Sequence, residues 1–215
     1  MIKQNLEKIK QQLPSNVQLV VVSKFRPIEQ LIEVYESGER EFAENRVQEM
    51  VTKYEALPKD INWHLIGHLQ TNKVKYIAPF VSLIHSVDSL ELAQEISKLA
   101  LKNNRIIPIL LQVHVAQEDS KFGLKPEIAE TVCKQIIGLP NIKIKGIMGM
   151  ATFTEDENLI KKEFQQLKGI FEALKETCFK KDENFNTLSM GMSGDYKLAV
   201  EEGSTLVRIG SLVFE

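Results

Sequence analysis

The sequence predicts an α/β fold built on a parallel sheet, with an extra helix ahead of the first strand. Three observations carry that reading. Eight short runs rich in aliphatic and β-branched residues alternate with longer helical patterns along the 215 residues. Several of these runs are continuously apolar, as strands covered on both faces are, and Val20-Val21-Val22 is the plainest of them. No Gly/Ser/Pro-rich linker or composition shift divides the chain, so residues 1–215 read as one domain. An open doubly wound sheet and a closed (β/α)8 barrel both satisfy these observations. Eight units leave roughly 27 residues each, which sits at the short end of the barrel range.

Met1–Leu13 (MIKQNLEKIKQQL) has apolar residues at helical spacing and no unbroken apolar stretch, so it reads as a helix and not as a signal peptide. The first strand is Gln18–Ser23, and the helix Ile28–Ser37 after it closes on Gly38 as a C′ glycine. Glu41–Ala43 is the second strand; its helix, Arg46–Leu57, stops at Pro58. Trp63–Ile66 is the third, followed by a short helix, Thr71–Ile77, that ends before Pro79. Leu83–Ser86 is the fourth, and Asp88 is expected to cap the helix Asp88–Lys102, which gives out at Asn103 and Asn104. Ile107–Val115 is the fifth; its helix, Pro126–Ile137, starts on a proline and has Gly138 behind it. Ile142–Met150 is the sixth strand, and the long helix Asp156–Lys181 follows. Its mixed charges, Lys161-Lys162-Glu163 among them, read as one solvated face. Thr187–Met190, the helix Asp195–Glu202 ending at Gly203, and Leu206–Ile209 complete the series.

Composition excludes several classes of function. Apolar residues make up 43% and charged residues 26%, the balance of a soluble globular protein. Lys and Arg number 27 against 29 Asp and Glu, a net charge of -2, which argues against a nucleic-acid binder of the whole-surface kind. No apolar stretch approaches the roughly 18 residues of a membrane span, so no membrane association is expected and the cytoplasm is the expected location. Cys133 and Cys178 lie in helical patterns without a CxxC partner and read as packing residues.

In parallel α/β folds chemistry gathers where strands end at their C-termini. Lys24 follows the first strand directly, and partial desolvation there would favour the neutral amine that attacks a carbonyl. The seventh strand runs into Ser189-Met190-Gly191-Met192-Ser193-Gly194-Asp195, a glycine-rich turn whose backbone N–H groups and Ser193 hydroxyl suit an anion. Taken alone, it also reads as an ordinary strand-to-helix turn capped by Ser193 or Asp195. On the eighth strand Val207 and Ile209 share one face, so Arg208 points the other way and needs a partner. Gly210 allows close backbone approach. An amine on the first strand, facing a phosphate cradle on the seventh and eighth with an arginine beside it, is a layout for pyridoxal phosphate. His64, His85 and His114 lack metal-ligand spacing and read as structural or cofactor-adjacent. The stretch around Ser193 lacks the Gly-x-Ser-x-Gly elbow of a hydrolase. Met148, Met150, Met190 and Met192 read as soft packing at two strand ends.

Five segments together resemble, nearly end to end, the small pyridoxal phosphate homeostasis proteins with an alanine-racemase N-terminal-type barrel. They are Val22-Ser23-Lys24-Phe25-Arg26-Pro27, Ala43–Glu49 (AENRVQE), Trp63–Lys73 (WHLIGHLQTNK), His85-Ser86-Val87-Asp88 and Leu188–Gly210. The resemblance implies a single monomer-like (β/α)8 TIM barrel holding pyridoxal 5′-phosphate as a Schiff base on Lys24. It implies phosphate contacts from Ser193 and the Gly210 backbone and places Arg208 near the pyridine nitrogen. Asn45, Ser86, Met148 and Met192 are implied as further pocket residues. Ala43, His68 and His114 depart from the family's usual glycine, proline and asparagine, whereas the loop Gln117–Gly123 keeps Glu118, Lys121 and Gly123.

An arginine at the ring nitrogen stays protonated and only donates, which leaves the ring a poor electron sink. Racemization also needs a base on the second face of the substrate carbon. In alanine racemases that base is a tyrosine from a further domain, which this sequence does not contain. Tyr196 stands nearest the expected mouth and is a poor substitute. The expected function is therefore cofactor binding, buffering and transfer to apo-enzymes. The alternatives are a slow pyridoxal-phosphate-dependent amino-acid racemase, or a barrel for another phosphorylated ligand with Lys24 as a mere charge.

Overall fold

The computed structural model describes residues 1–118 and 122–215, so Lys121 lies outside the described residues. The strands β1 (Gln18–Val22), β2 (Glu41–Glu44), β3 (Asn62–Leu65), β4 (Leu83–Val87), β5 (Ile107–Gln112), β6 (Ile142–Met148), β7 (Thr187–Ser189) and β8 (Leu206–Ile209) pair in sequence order, all parallel. β1 also pairs with β8, and the barrel is closed. Helices α1 (Ile2–Gln12), α2 (Ile28–Glu36), α3 (Val47–Ala56), α4 (Val74–Ile77), α5 (Leu90–Lys102), α6 (Pro126–Ile136), α7 (Glu157–Cys178) and α8 (Tyr196–Glu201) precede, connect and cover the strands. A short α9 (Ser211–Phe214), which the sequence pattern does not announce, follows β8. Closure, rather than an open sheet, follows from the β1–β8 ladder.

Alternation along the strands sorts side chains into two layers. Leu19 and Val21, like Val207 and Ile209, join the large core shared with the helices. Val20, Val22, Ala43, Leu83, Leu110, Met148 and Leu206 meet in a smaller cluster of their own, the apolar plug of the barrel interior. Arg208 therefore falls on the plug side of β8, as its alternation requires. β4 breaks the rule. Its pairing with β5 sets Ile84 opposite Ile109 and Val87 opposite Leu111, so β4 carries one extra residue. Ile84 and Val87 both join the helix-facing core, and the bulge leaves two consecutive polar residues, His85 and Ser86, fully buried between them.

Element ends differ from the sequence expectation where local chemistry intervenes. α5 is capped by Ser89, whose hydroxyl accepts from the Leu92 N–H at 3.2 Å, and not by Asp88. β5 stops at Gln112 because the following backbone turns to pair with Leu124: the His114 N–H donates to Leu124 O at 2.9 Å. β6 stops at Met148, and Gly149 O beyond it accepts from Arg208 instead of continuing a ladder. α7 starts as expected on Asp156, whose carboxylate accepts from the N–H groups of Asn158 and Leu159, but ends at Cys178. Its face is not wholly solvated. Glu163 is buried, and its carboxylate accepts from the Thr152 N–H and hydroxyl, both at 2.7 Å. That contact ties the loop after β6 to α7.

Ile2, Leu6 and Ile9 bury one face of α1, which packs against α2 and α9. Both cysteines are free, and burial pushes the Cys133 thiol up in pKa, away from reactivity. Among the described residues no helix is long and apolar enough to cross a membrane.

Candidate functional site

A cavity of about 600 Å³ opens at the C-terminal end of the strands. Lys24, Asn45, Met192, Ser193, Arg208 and Gly210 line it. Six of the eight residues singled out in the sequence thus line one cavity. Met148 lies below, in the apolar plug with Val22, which does line the cavity. Ser86 is buried and not in the wall; among the described residues its hydroxyl has no partner.

Lys24 is exposed, not partly desolvated as its place after an apolar triplet suggested. β1 ends at Val22 and Ser23 after it is still fully buried; exposure begins at Lys24 itself. What fixes Lys24 is the backbone on either side of it. The Lys53 ammonium, only 4% exposed, donates to Ser23 O at 2.6 Å and to the carboxylates of Glu44 and Glu49, each at 2.7 Å. Ser23 Oγ donates to the same Glu44 oxygen at 2.6 Å. Glu49 in turn accepts from the Phe25 N–H at 2.7 Å. Phe25 has φ 63°, left-handed backbone that costs a non-glycine residue about 1–2 kcal/mol. One buried cation therefore anchors the residues before and after Lys24. Burial raises the Glu44 carboxyl above its usual range, outweighing the hydrogen bonds from Lys53 and Ser23. The sequence pattern does not announce this cluster. Its one signal is the i,i+4 pair Glu49–Lys53, which ordinarily marks a solvated helix face.

Asn45 leaves β2 next to Glu44 and lies hard against Gly67. A Cβ on Gly67 would stand 2.0 Å from Asn45 O, so only glycine permits this approach.

On the far wall, Gly191 has φ +96°, and a Cβ there would meet Ala199 at 2.6 Å. The turn it starts is tied inward: the Asp195 carboxylate accepts from the Met192 N–H at 2.6 Å, so it serves the turn and not α8 as a cap. Burial raises the Asp195 carboxyl, against the lowering effects of that N–H and of Arg208. Ser193 Oγ accepts from the Gly210 N–H at 3.3 Å, which joins the turn after β7 to the end of β8. A Cβ on Gly210 would meet Val22 O at 3.0 Å, so this glycine also lets β8 close against β1. Arg208 is buried and donates to Ser189 Oγ at 2.6 Å and to Gly149 O at 3.1 Å. Burial pushes its pKa down to about 10, with the Asp195 charge opposing, so it stays charged at neutral pH.

The loop after β6 adds Thr152, Phe153 and Thr154 to the wall, residues the sequence reading did not single out. Their signal was only their place after a strand end. A larger cavity of about 960 Å³ shares Ser193, Gly194 and Asp195 but lies against α1 and α7, without Lys24 or Arg208. Tyr196 faces it and donates its hydroxyl to Gln12 at 2.6 Å.

The model of the alanine racemase N-terminal domain matches residues 1–215. The pyridoxal phosphate homeostasis protein of Aquifex aeolicus is 42% identical over 201 residues, covering 91% of this chain and 85% of that protein. That of Pasteurella multocida is 34% identical over 219 residues, covering 99% and 93%. The structure of PipY from Synechococcus elongatus with pyridoxal phosphate bound superposes with a TM-score of 0.90 at 34% identity, over the whole of both chains. An alanine racemase from Clostridium difficile, at 17% identity and a TM-score of 0.81, shares the fold over 99% of this chain and 55% of its own. The barrel and its sequence therefore belong to the alanine racemase N-terminal domain family, within it to the pyridoxal phosphate homeostasis proteins.

Proposed function

We propose that this protein binds pyridoxal 5′-phosphate at the barrel mouth, with Lys24 as the covalent anchor, and acts in cofactor homeostasis by holding and releasing it. The observation that carries the reading is one cavity lined by an exposed amine, a buried guanidinium and the Ser193–Gly210 pair. When bound, pyridoxal phosphate supplies an aldehyde, a ring nitrogen that accepts a hydrogen bond, and a phosphate. The donor set fits that group. Lys24 would engage the aldehyde. Arg208 would donate to the ring nitrogen and keep its own proton, which leaves that nitrogen uncharged and carbanion chemistry poorly supported. Ser193, the Gly210 backbone and the turn around them would hold the phosphate. Asn45 and Met192 would flank the ring, with Met148 packing beneath. Ser86 sits behind the cavity wall, its hydroxyl without a partner among the described residues.

The names of the curated relatives and the bound cofactor in PipY support the binding reading. The engagement of Tyr196 with Gln12, in the neighbouring cavity, weighs against the racemase alternative. The open cavity beside exposed Phe25 and Phe153 supports release to apo-enzymes. Free cysteines suit a reducing cytoplasm, and we read the chain as a monomeric single domain. Titration of the purified protein with pyridoxal phosphate, followed in the visible range, tests the central point. Wild type should gain a saturable band that Lys24→Ala lacks; an unchanged band in the variant would refute the assignment.

A further inference from the structure

Four buried or half-buried polar groups lead from Arg208 through the barrel interior. Arg208 Nη1 lies 2.6 Å from Ser189 Oγ, which is 3.0 Å from His85 Nδ1. His85 Nε2 is 2.9 Å from His64 Nδ1, and His64 Nε2 is 2.7 Å from Glu41 Oε2. Ser189 and His85 are fully buried, His64 and Arg208 nearly so, while Glu41 at the start of β2 reaches partial exposure. The mouth of the barrel is thus connected to its opposite end by side chains from β8, β7, β4, β3 and β2.

With both imidazoles neutral, the two ends fix the direction of every hydrogen in between. Arg208 can only donate, so Ser189 Oγ accepts from it and gives its own hydrogen to His85 Nδ1. His85 is then protonated on Nε2 and donates to His64 Nδ1. His64 is protonated on Nε2 and donates to Glu41, an ionised carboxylate that can only accept. Burial of Glu41 raises its pKa, but the hydrogen bond from His64 outweighs this and the carboxyl sits below its usual value. The other bonds here are consistent. Glu41 Oε1 accepts from Asn62 at 2.7 Å, and the second Arg208 nitrogen is held by Gly149 O. A cationic His64 would reverse His85 and leave the Ser189 hydrogen without an acceptor in the relay.

We propose that Ser189, His85 and His64 form a relay of single polarity, anchored at Glu41, that positions Arg208 at the cofactor mouth. The role given to Arg208 rests on the pyridoxal phosphate reading above; the relay itself does not. Ser189, His85 and His64 are positioning residues, not catalytic ones. The bulge in β4 is what makes the relay geometrically available, because it buries His85 beside Ser86 rather than turning one of them to the helices.

Nitrogen-15 NMR of the ligand-free protein at pH 7 tests the polarity. Both rings should be neutral, with hydrogen on Nε2 and none on Nδ1; a cationic ring or an Nδ1–H tautomer at either histidine overturns the relay. Positioning is read in the same ligand-free protein from the Arg208 guanidinium. Its Nη signals should be resolved in wild type and averaged in Ser189→Ala. His64→Gln, whose amide can accept from His85 and donate to Glu41, should keep them resolved, and His64→Leu should not. Pyridoxal phosphate should bind Ser189→Ala about 10-fold more weakly, the loss of one charged hydrogen bond. Unaltered guanidinium signals in both Ser189→Ala and His64→Leu overturn the positioning role, whereas failure of wild type to take up pyridoxal phosphate overturns only the cofactor reading.

Discussion

Lys53 carries more of the site than its place in a helix suggests. Replacing it with Met would leave Glu44 and Glu49 facing each other without a cation. Loss of one partner from a buried ionic cluster costs about 3–5 kcal/mol. Urea unfolding of Lys53→Met should show a loss of that size, and the strained turn at Phe25 should relax with it. His85 sets a pH dependence of stability. Burial first, with the Arg208 charge adding to it, holds its pKa well below 6.5. The unfolded chain therefore binds a proton below pH 6.5 that the folded protein does not. Stability from this group is present above that pH and falls as pH drops through it, by about 1.4 kcal/mol per unit. Unfolding midpoints between pH 7 and 5 should fall more steeply in wild type than in His85→Gln; parallel slopes would show that His85 is charged in the fold. At this scale Lys24, Ser193 and Arg208 were legible because strand ends and alternation expose them in the sequence. Lys53 was not, because a lysine four residues after a glutamate looks solvated. The pairing of His85 with Ser189 was not either, because a bulge is invisible to a period-two count.

The elements themselves follow from local signals, and their ends do not. All eight strands fall on the expected runs, with β3 starting one residue early and β2 and β4 ending one residue late, since β-branched apolar stretches between helix patterns have few other uses in a parallel sheet. The C-terminal ends of β5, β6 and β7 arrive early; Leu124 takes up the chain after β5, and Arg208 takes Gly149 O after β6. The cavity lies at the ends of β6 and β7, so there boundary errors and functional residues coincide. The loop after β3 provides the test at this scale. Gly67→Ala must displace the Asn45 backbone, since the added carbon would stand 2.0 Å from its carbonyl oxygen. Overpacking of that kind costs about 1–3 kcal/mol. The variant should unfold earlier in urea and bind pyridoxal phosphate more weakly; full stability with weakened binding, or the reverse, would separate the two effects of Asn45.

The barrel as a whole divides its interior by function. An apolar plug of Val20, Val22, Ala43, Leu83, Leu110, Met148 and Leu206 supports the floor, and a polar file from Glu41 to Arg208 runs beside it. Around them the helix-facing core provides stability, and α1 braces α9 directly behind the end of β8. Closure brings β1 and β8 into register, Val20 opposite Arg208, so that Lys24 and Gly210 reach the same cavity from opposite ends of the sequence. That convergence was expected from strand counting and motif position once a closed barrel was assumed; the ladder between β1 and β8 supplies the closure. The most direct measurement is borohydride reduction of the protein with pyridoxal phosphate, followed by peptide mass mapping. The pyridoxyl mass should appear on the peptide containing Lys24 at a stoichiometry near one per chain. Modification centred on another lysine, with Lys24 unmodified, would contradict the account.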